Sequence, residues 1–197
     1  MKVLDPIQYQ IRKEAILEQA RHLFATKGFK ETSMDDIARR SHVQKASLYH
    51  YFKGKHHVLQ EMIDLGRMRW GARVQEYAAG KDLRETLTHI GTTFLEDMND
   101  PARREFFKII HFESHKDPAI LEAMKKSPAQ NREAFYAVFA KHFPNYPRVQ
   151  IAMIITQFMG GLIHYAAQSR LRNENTCFEK FSDAQYVTSL VNIFTKT

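Results

Sequence analysis

The chain holds a single cysteine, Cys177, among 197 residues. One thiol cannot close a disulfide within the chain, and it excludes a cysteine-rich zinc site. Both exclusions fit a reducing, cytoplasmic setting. Long apolar runs are also missing. The most apolar stretch, Ile151 to Ala167, is interrupted by Thr156, Gln157 and His164. It is also shorter than the roughly 20 residues a membrane crossing needs, so a buried helix is expected there. The amino end, MKVLDPIQYQIRKEAI, lacks the apolar core of a secretory signal. There is no Asn-Gly or Asp-Gly hairpin turn, no internal repeat and no low-complexity tract, so nothing argues for strands. Enzyme signatures are missing too. The chain has no Gly-rich phosphate loop, no Gly-x-Ser-x-Gly elbow, no His-Glu-x-x-His and no paired carboxylates in a recognisable setting.

Hydrophobic residues make up 44% of the chain and charged residues 26%, which suffices for a packed core in a soluble protein. The charge is uneven. Residues 1–60 carry eleven Lys/Arg against six Asp/Glu, a net of +5, whereas residues 61–197 carry eighteen against sixteen, a net of +2. Five of the ten histidines (22, 42, 50, 56 and 57) lie in the first segment as well. A basic pole suits a polyanion, because neutralising phosphates releases condensed counterions; a generically basic surface would look the same on charge alone.

Helical patterns run through the whole chain, and the six prolines fall at plausible helix boundaries. A first helix is expected from about Gln8 to Lys27, with Ile16, Ala20, Leu23 and Phe24 on one face. Gly28 stands where helices commonly end in a left-handed residue, with Phe29 folding back onto the last turn. Ser33-Met34-Asp35-Asp36 reads as a capping box that opens a short second helix, Met34 to about Arg40. A turn, Ser41 to Gln44, leads to a third helix, Lys45 to Phe52, and Lys53-Gly54-Lys55 opens a fourth.

Two short helices joined by about four residues and braced by a longer one match the geometry that lays a helix in a DNA major groove. Stepping 100° per residue from Leu48 buries Leu48, Tyr51 and Phe52 and turns Ala46, Ser47, Tyr49 and His50 outward. Lys45 lies at the edge of this outer face and Gln44 at the helix mouth, and no acidic residue is expected on it. Gln44 and Lys45 suit base edges, glutamine adenine and lysine guanine. Tyr49 and His50 suit phosphate oxygens. Lys55 beside the amino end of the fourth helix, and Ser33 at that of the second, are candidate phosphate clamps.

The stretch GFKETSMDDIARRSHVQKASLYHYFKGKHHVL, Gly28 to Leu59, resembles without a gap the DNA-binding segment of the TetR family of bacterial regulators. The resemblance rests on Thr32-Ser33-Met34, Ile37-Ala38, Leu48-Tyr49-x-Tyr51-Phe52 and Lys55. Four positions depart from that pattern. His42 stands in the turn where the family usually has glycine, so a left-handed backbone there would be strained. Gln44 replaces a capping serine and is a poorer cap. Ala46 replaces a common glycine, and His56-His57 replace a common acidic pair. Histidines gain charge in mildly acidic solution, so DNA affinity is expected to depend on pH.

The resemblance implies an all-α protein: a helix-turn-helix domain, 1–54, ahead of a larger helical ligand-binding and dimerisation domain, 55–197. Further helices are expected at about 82–98, 102–115, 118–143, 148–171 and 179–195. The resemblance also implies a repressor that binds a palindromic double-stranded DNA operator as a homodimer. A small hydrophobic or amphipathic inducer would release it by tilting the fourth helix. Constitutive DNA binding without an inducer, or activation, is the alternative. Dimerisation is expected through the last two helices, because the penultimate one is apolar on nearly every side and needs cover from another chain. Gly160-Gly161 would allow close helix approach there. Candidate pocket residues are Arg67, Trp70, Phe94, Phe106, His111, Phe112, Phe135, Phe158, His164 and Tyr165, most of which could equally be core. No cofactor and no metal are expected. His111 and His115 share a helical face with Glu113 between them, but no third ligand is evident.

Overall fold

The computed structural model describes residues 5–110, 114, 117–125, 129–168 and 181–195. Among these the regular elements are all helices: α1 Pro6–Lys27, α2 Met34–Arg40, α3 Lys45–Tyr51, α4 Lys55–Ala78, α5 Leu83–Asn99, α6 Pro101–Lys108, α7 Pro118–Lys125, α8 Ala129–His142, α9 Arg148–Ala167 and α10 Asp183–Thr195. The chain divides into two compact units. One comprises residues 1–66 and 101–127, the other residues 67–100 and 128–197.

Local chemistry sets most of the boundaries. Pro6 stands at the start of α1, where its missing N–H is not needed. Gly28 ends that helix at φ 90° with its N–H donating to the Phe24 carbonyl, and Phe29 turns edge-on to Phe24 at 5.1 Å between ring centroids. Asp82 and Glu85 cap α5 reciprocally. At α10 the Ser182 N–H donates to Gln185 Oε1 at 2.8 Å, and the Gln185 N–H donates to Ser182 Oγ at 3.2 Å. This second box explains why α10 begins at Asp183 and not at 179 as expected. Of the helix expected at 118–143, the described residues show α7 and α8, with residues 126–128 outside them. The pattern expected at 102–115 holds as an α-helix only to Lys108, and the one expected at 148–171 ends at Ala167.

In the first unit, Ile16, Leu17, Ala20 and Phe24 of α1 meet Ile37 and Ala38 of α2 and Leu48 and Phe52 of and just after α3. Val58, Leu59, Met62 and Ile63 from the first half of α4 and Ile120 and Ala123 from α7 complete this core. The first compact unit thus runs past residue 54, to residue 66. The first three turns of α4 belong to the helix-turn-helix core, because their apolar side chains have no other cover there. So does a later segment, residues 101–127.

In the second unit α10 packs on α5, and α9 packs on α5, α8 and α10. α9, with 20 residues, is long and apolar enough to cross a membrane by length and composition. It buries Ile151, Phe158, Leu162, Tyr165 and Ala166 within the unit, while Val149 and Met153 are exposed. The two neighbouring glycines differ. A Cβ on Gly161 would meet Tyr186 Oη at 3.1 Å and Leu190 Cδ1 at 3.2 Å, whereas one on Gly160 meets nothing within 4 Å. α5 and α10 approach closely at Gly91, since a Cβ there would lie 3.0 Å from Val187 Cγ1. Replacing Gly91 with leucine should therefore destabilise the protein by about 1–3 kcal/mol through overpacking, read as a lower midpoint in thermal denaturation. Gly160→Ala, in open space, should not lower it.

Candidate nucleic-acid interface

The surface built on α3 begins with what α3 buries. Leu48 and Phe52 are fully buried and Tyr51 nearly so, and Tyr51 stacks on Tyr9 of α1 with centroids 4.8 Å apart. These three anchors leave the opposite side of the helix outside. Gln44, Lys45, Ala46, Tyr49 and His50 are exposed, Tyr49 at 47%, and Ser47 is half-buried. Gln44 makes no side-chain cap on α3, so its amide is not spent on the helix it precedes.

The turn before α3 carries the strain expected from its sequence. His42 adopts φ 53°, the one positive value on a non-glycine residue among those described. Its N–H donates to the Arg39 carbonyl at 3.2 Å and the Val43 N–H reaches the Ala38 carbonyl at 3.0 Å. Buried Thr32 fixes the preceding loop, donating from Oγ1 to the Gly28 carbonyl at 2.7 Å.

The amino end of α2 is closed by the expected capping box, and more tightly than its sequence implied. Ser33 N–H and Ser33 Oγ both donate to Asp36 Oδ2, at 2.9 and 2.7 Å, and the Asp36 N–H donates to Ser33 Oγ at 3.1 Å. Lys27 Nζ reaches the same carboxylate oxygen at 2.7 Å. The Lys27 hydrogen bond first, then those from Ser33, hold the Asp36 carboxyl well below the usual carboxylate range. Asp36 thus already occupies the anion position at this helix end that was considered for a phosphate held by Ser33.

Two cations differ from their expected setting. Lys55 is not an open phosphate clamp. Its ammonium donates to the Phe29 carbonyl at 2.7 Å and the Lys30 carbonyl at 2.9 Å and lies 4.7 Å from the centre of the Phe29 ring. Burial pushes its pKa below that of an ordinary lysine. It ties the start of α4 to the loop between α1 and α2, a contact 25 to 26 residues apart in sequence that no local pattern signals. Lys45 pairs with Asp35 of α2, its Nζ 2.8 Å from Oδ1 and 3.1 Å from Oδ2. The outer face of α3 itself carries no acidic residue, but a carboxylate of the neighbouring helix pairs with its edge. In the His56-His57 pair, His57 Nδ1 accepts from the Lys53 N–H at 3.1 Å, its Nε2 lies 3.4 Å from Glu61, and His56 meets Phe29 edge-on.

The model of the tetR family of bacterial regulatory proteins matches residues 16–62, the segment just described. Over these residues the chain is similar to the TetR family. The HTH-type transcriptional regulator YvkB of Bacillus subtilis is 30% identical over 107 residues, 54% of this chain and 52% of its own length. The HTH-type transcriptional repressor KstR2 of Mycolicibacterium smegmatis is 36% identical over 58 residues, 29% of this chain and 28% of its own. The chain thus spans about half the length of the first of these relatives and less of the second. Among solved structures, Salmonella enterica GusR superposes with a TM-score of 0.68 at 20% identity over 100% of both chains. FadR from Bacillus subtilis, solved in complex with stearoyl-CoA, gives 0.69 at 13% identity over 93% of this chain and 97% of its own. At such identities the likeness is one of fold.

The pocket candidates come from both compact units. Phe106 packs against the core of the first. Trp70 meets Phe94 edge-on at 6.2 Å, with Arg73 5.8 Å from its ring, and Arg67 is half-buried. Phe135 and Phe158 both lean on fully buried Phe139. Tyr165 stacks on Tyr186 at 3.8 Å and donates to Asp183 at 2.8 Å. His164 is exposed, its Nε2 2.8 Å from Gln168 Nε2. His111, Phe112 and the His115 considered for a metal lie outside the described residues. Among the described residues no group of three or more His, Cys, Asp or Glu could hold a metal ion.

The Asp36 cap sets an acid limit on the helix-turn-helix. Because its folded pKa is depressed, its contribution is present above the unfolded value and is lost as the pH falls below about 4. Asp36→Asn should melt a few degrees below the wild type at neutral pH. That gap should hold down to about pH 4 and narrow progressively as the pH is lowered further; a gap that stays constant to the acid end of the titration would contradict the assignment.

Proposed function

We propose that the chain is a ligand-responsive transcriptional regulator, a repressor, that binds a palindromic DNA operator as a homodimer and is released by a small hydrophobic or amphipathic inducer. The observation that carries the reading is the outer side of α3. Leu48, Tyr51 and Phe52 hold the helix from behind, so a row of small, polar and basic groups, most of them exposed, faces outward. Small Ala46 and half-buried Ser47 allow the backbone near a groove floor. Gln44 and Lys45 reach base edges, and Tyr49 and His50 reach phosphate oxygens. Ser33 contributes from the loop ahead of α2. Lys55 acts indirectly, by holding the loop between α1 and α2 in place.

Repression is supported by the relatives, since KstR2 and the IcaR proteins of Staphylococcus aureus are named as a repressor and a negative regulator. An inducer is supported by FadR, whose structure contains stearoyl-CoA. The residues proposed to meet such a molecule in this chain are Arg67, Trp70, Phe94, Phe135, Phe158, His164 and Tyr165. α4 is proposed to carry the signal, as a continuous helix whose residues are divided between the two units. Ligand must bind the DNA-free state more tightly for this coupling to matter. The proposed site of action is the cytoplasm.

The dimer is proposed to form through α9 and α10. Val149, Met153 and Ile193 are exposed at 60%, 57% and 69%, open Gly160 lies on the same helix as the first two, and α10 presents a shallow depression lined by Ala184, Gln185, Thr188, Ser189 and Asn192. Apolar side chains in water next to small ones suit a two-fold helix-on-helix contact. Two copies would then offer two α3 helices to half-sites about one helical turn, or a multiple, apart.

Tyr49→Ala should weaken binding to a sequence selected by the wild type by about tenfold in a band-shift assay with competitor DNA, with sedimentation unchanged. Undiminished affinity would refute the assigned DNA face. Met153→Glu should sediment as a monomer at micromolar concentration where the wild type sediments as a dimer. A wild-type monomer would refute the dimer.

A further inference from the structure

Asp35 is the one carboxylate paired with a side chain proposed to read bases. It sits in the first turn of α2, where the helix dipole favours a negative charge. Adjacent Asp36 faces the other way, to Lys27 and Ser33, so the two acids have separate tasks. Both oxygens of Asp35 lie within hydrogen-bond distance of Lys45 Nζ, and the two side chains are 54% and 57% exposed. A lysine on a helix surface is otherwise a flexible point charge on four rotatable bonds. Here its ammonium donates to Asp35 Oδ2 and lies 2.8 Å from Oδ1, on a different helix. The pairing draws the ammonium toward α2 and leaves N–H groups to donate.

A carboxylate on a DNA-facing surface has a cost. It repels phosphates and cancels one cation, so it lowers affinity for every duplex. Its value lies in selectivity. A lysine free to swing satisfies itself on phosphates of any sequence, whereas one held by a carboxylate gives up that contact and donates to a base-edge acceptor. In the major groove the acceptor pair that a lysine suits is guanine O6 and N7.

We propose that Asp35 is a positioning residue that directs Lys45 to a guanine in each half-site and suppresses non-specific binding. This rests on the DNA-binding reading of α3, and the experiment separates the two. The intact chain is used to select from a random-sequence duplex library at fixed salt, and the enriched base at each position is read for the wild type and for Asp35→Asn, Asp35→Glu, Lys45→Met and the double variant Asp35→Asn/Lys45→Met. The wild type should enrich a guanine at one position per half-site. Asp35→Asn should lose on the order of tenfold of that preference, at the same position as Lys45→Met. It should also bind unselected duplex a few-fold more tightly at low salt. Asp35→Glu, which keeps the charge, should recover most of the preference. The double variant should be no worse than Lys45→Met alone, because the two residues act as one unit.

Uniform tightening by Asp35→Asn with an unchanged base profile overturns the proposal while leaving DNA binding standing. So does a wild-type profile in Lys45→Met, a variant that leaves Asp35 and the cap of α2 in place and so decides the matter even if Asp35→Asn fails to fold. Enrichment of no sequence by the wild type overturns the DNA reading, and this proposal with it.

Discussion

The burial of Leu48 is the constraint on which the rest depends. One leucine without exposed surface, flanked by Tyr51 and Phe52, fixes the rotation of a helix only seven residues long. A helix of two turns has almost no stability of its own, so its orientation is inherited from the core it plugs. That core draws on α1, α2, the first half of α4 and α7. The exposure of Tyr49 and His50 is thus a consequence of apolar packing some 10 Å behind them, the approximate diameter of a helix.

The helix-turn-helix was legible because its determinants are local. A capping box spans four residues, a glycine stop spans one, and an apolar face repeats within two turns. Ser33, Gly28 and the Ile16–Phe24 stripe could therefore be read from spacing alone, and each is found in place. The strain at His42 was legible for the same reason, since it follows from one residue type at one turn position.

What could not be read depends on tertiary approach. Asp35 and Lys45 are ten residues apart on different helices, and Lys55 finds its carbonyls 25 and 26 residues upstream. No periodicity links such positions, so Lys55 looked like an open clamp and the outer face looked free of acid. The aromatic residues of the later helices were ambiguous in another way. Apolar spacing places a side chain inward but does not distinguish packing from pocket lining, and Phe106, Phe139 and Phe158 show how far packing claims them. The extent of the compact units was illegible for a related reason: α4 is one element by hydrogen bonding, yet its residues are divided between the two units.

The left-handed backbone at His42 has an evolutionary consequence. An L residue in this conformation gives up roughly 1–2 kcal/mol relative to its relaxed geometry, and the position lies in the turn, outside both flanking helices. A glycine there would relieve the strain without changing a group on the outer side of α3. The fold therefore carries a margin it has not used, open to a lineage that must absorb destabilising changes elsewhere while keeping its reading helix as it is.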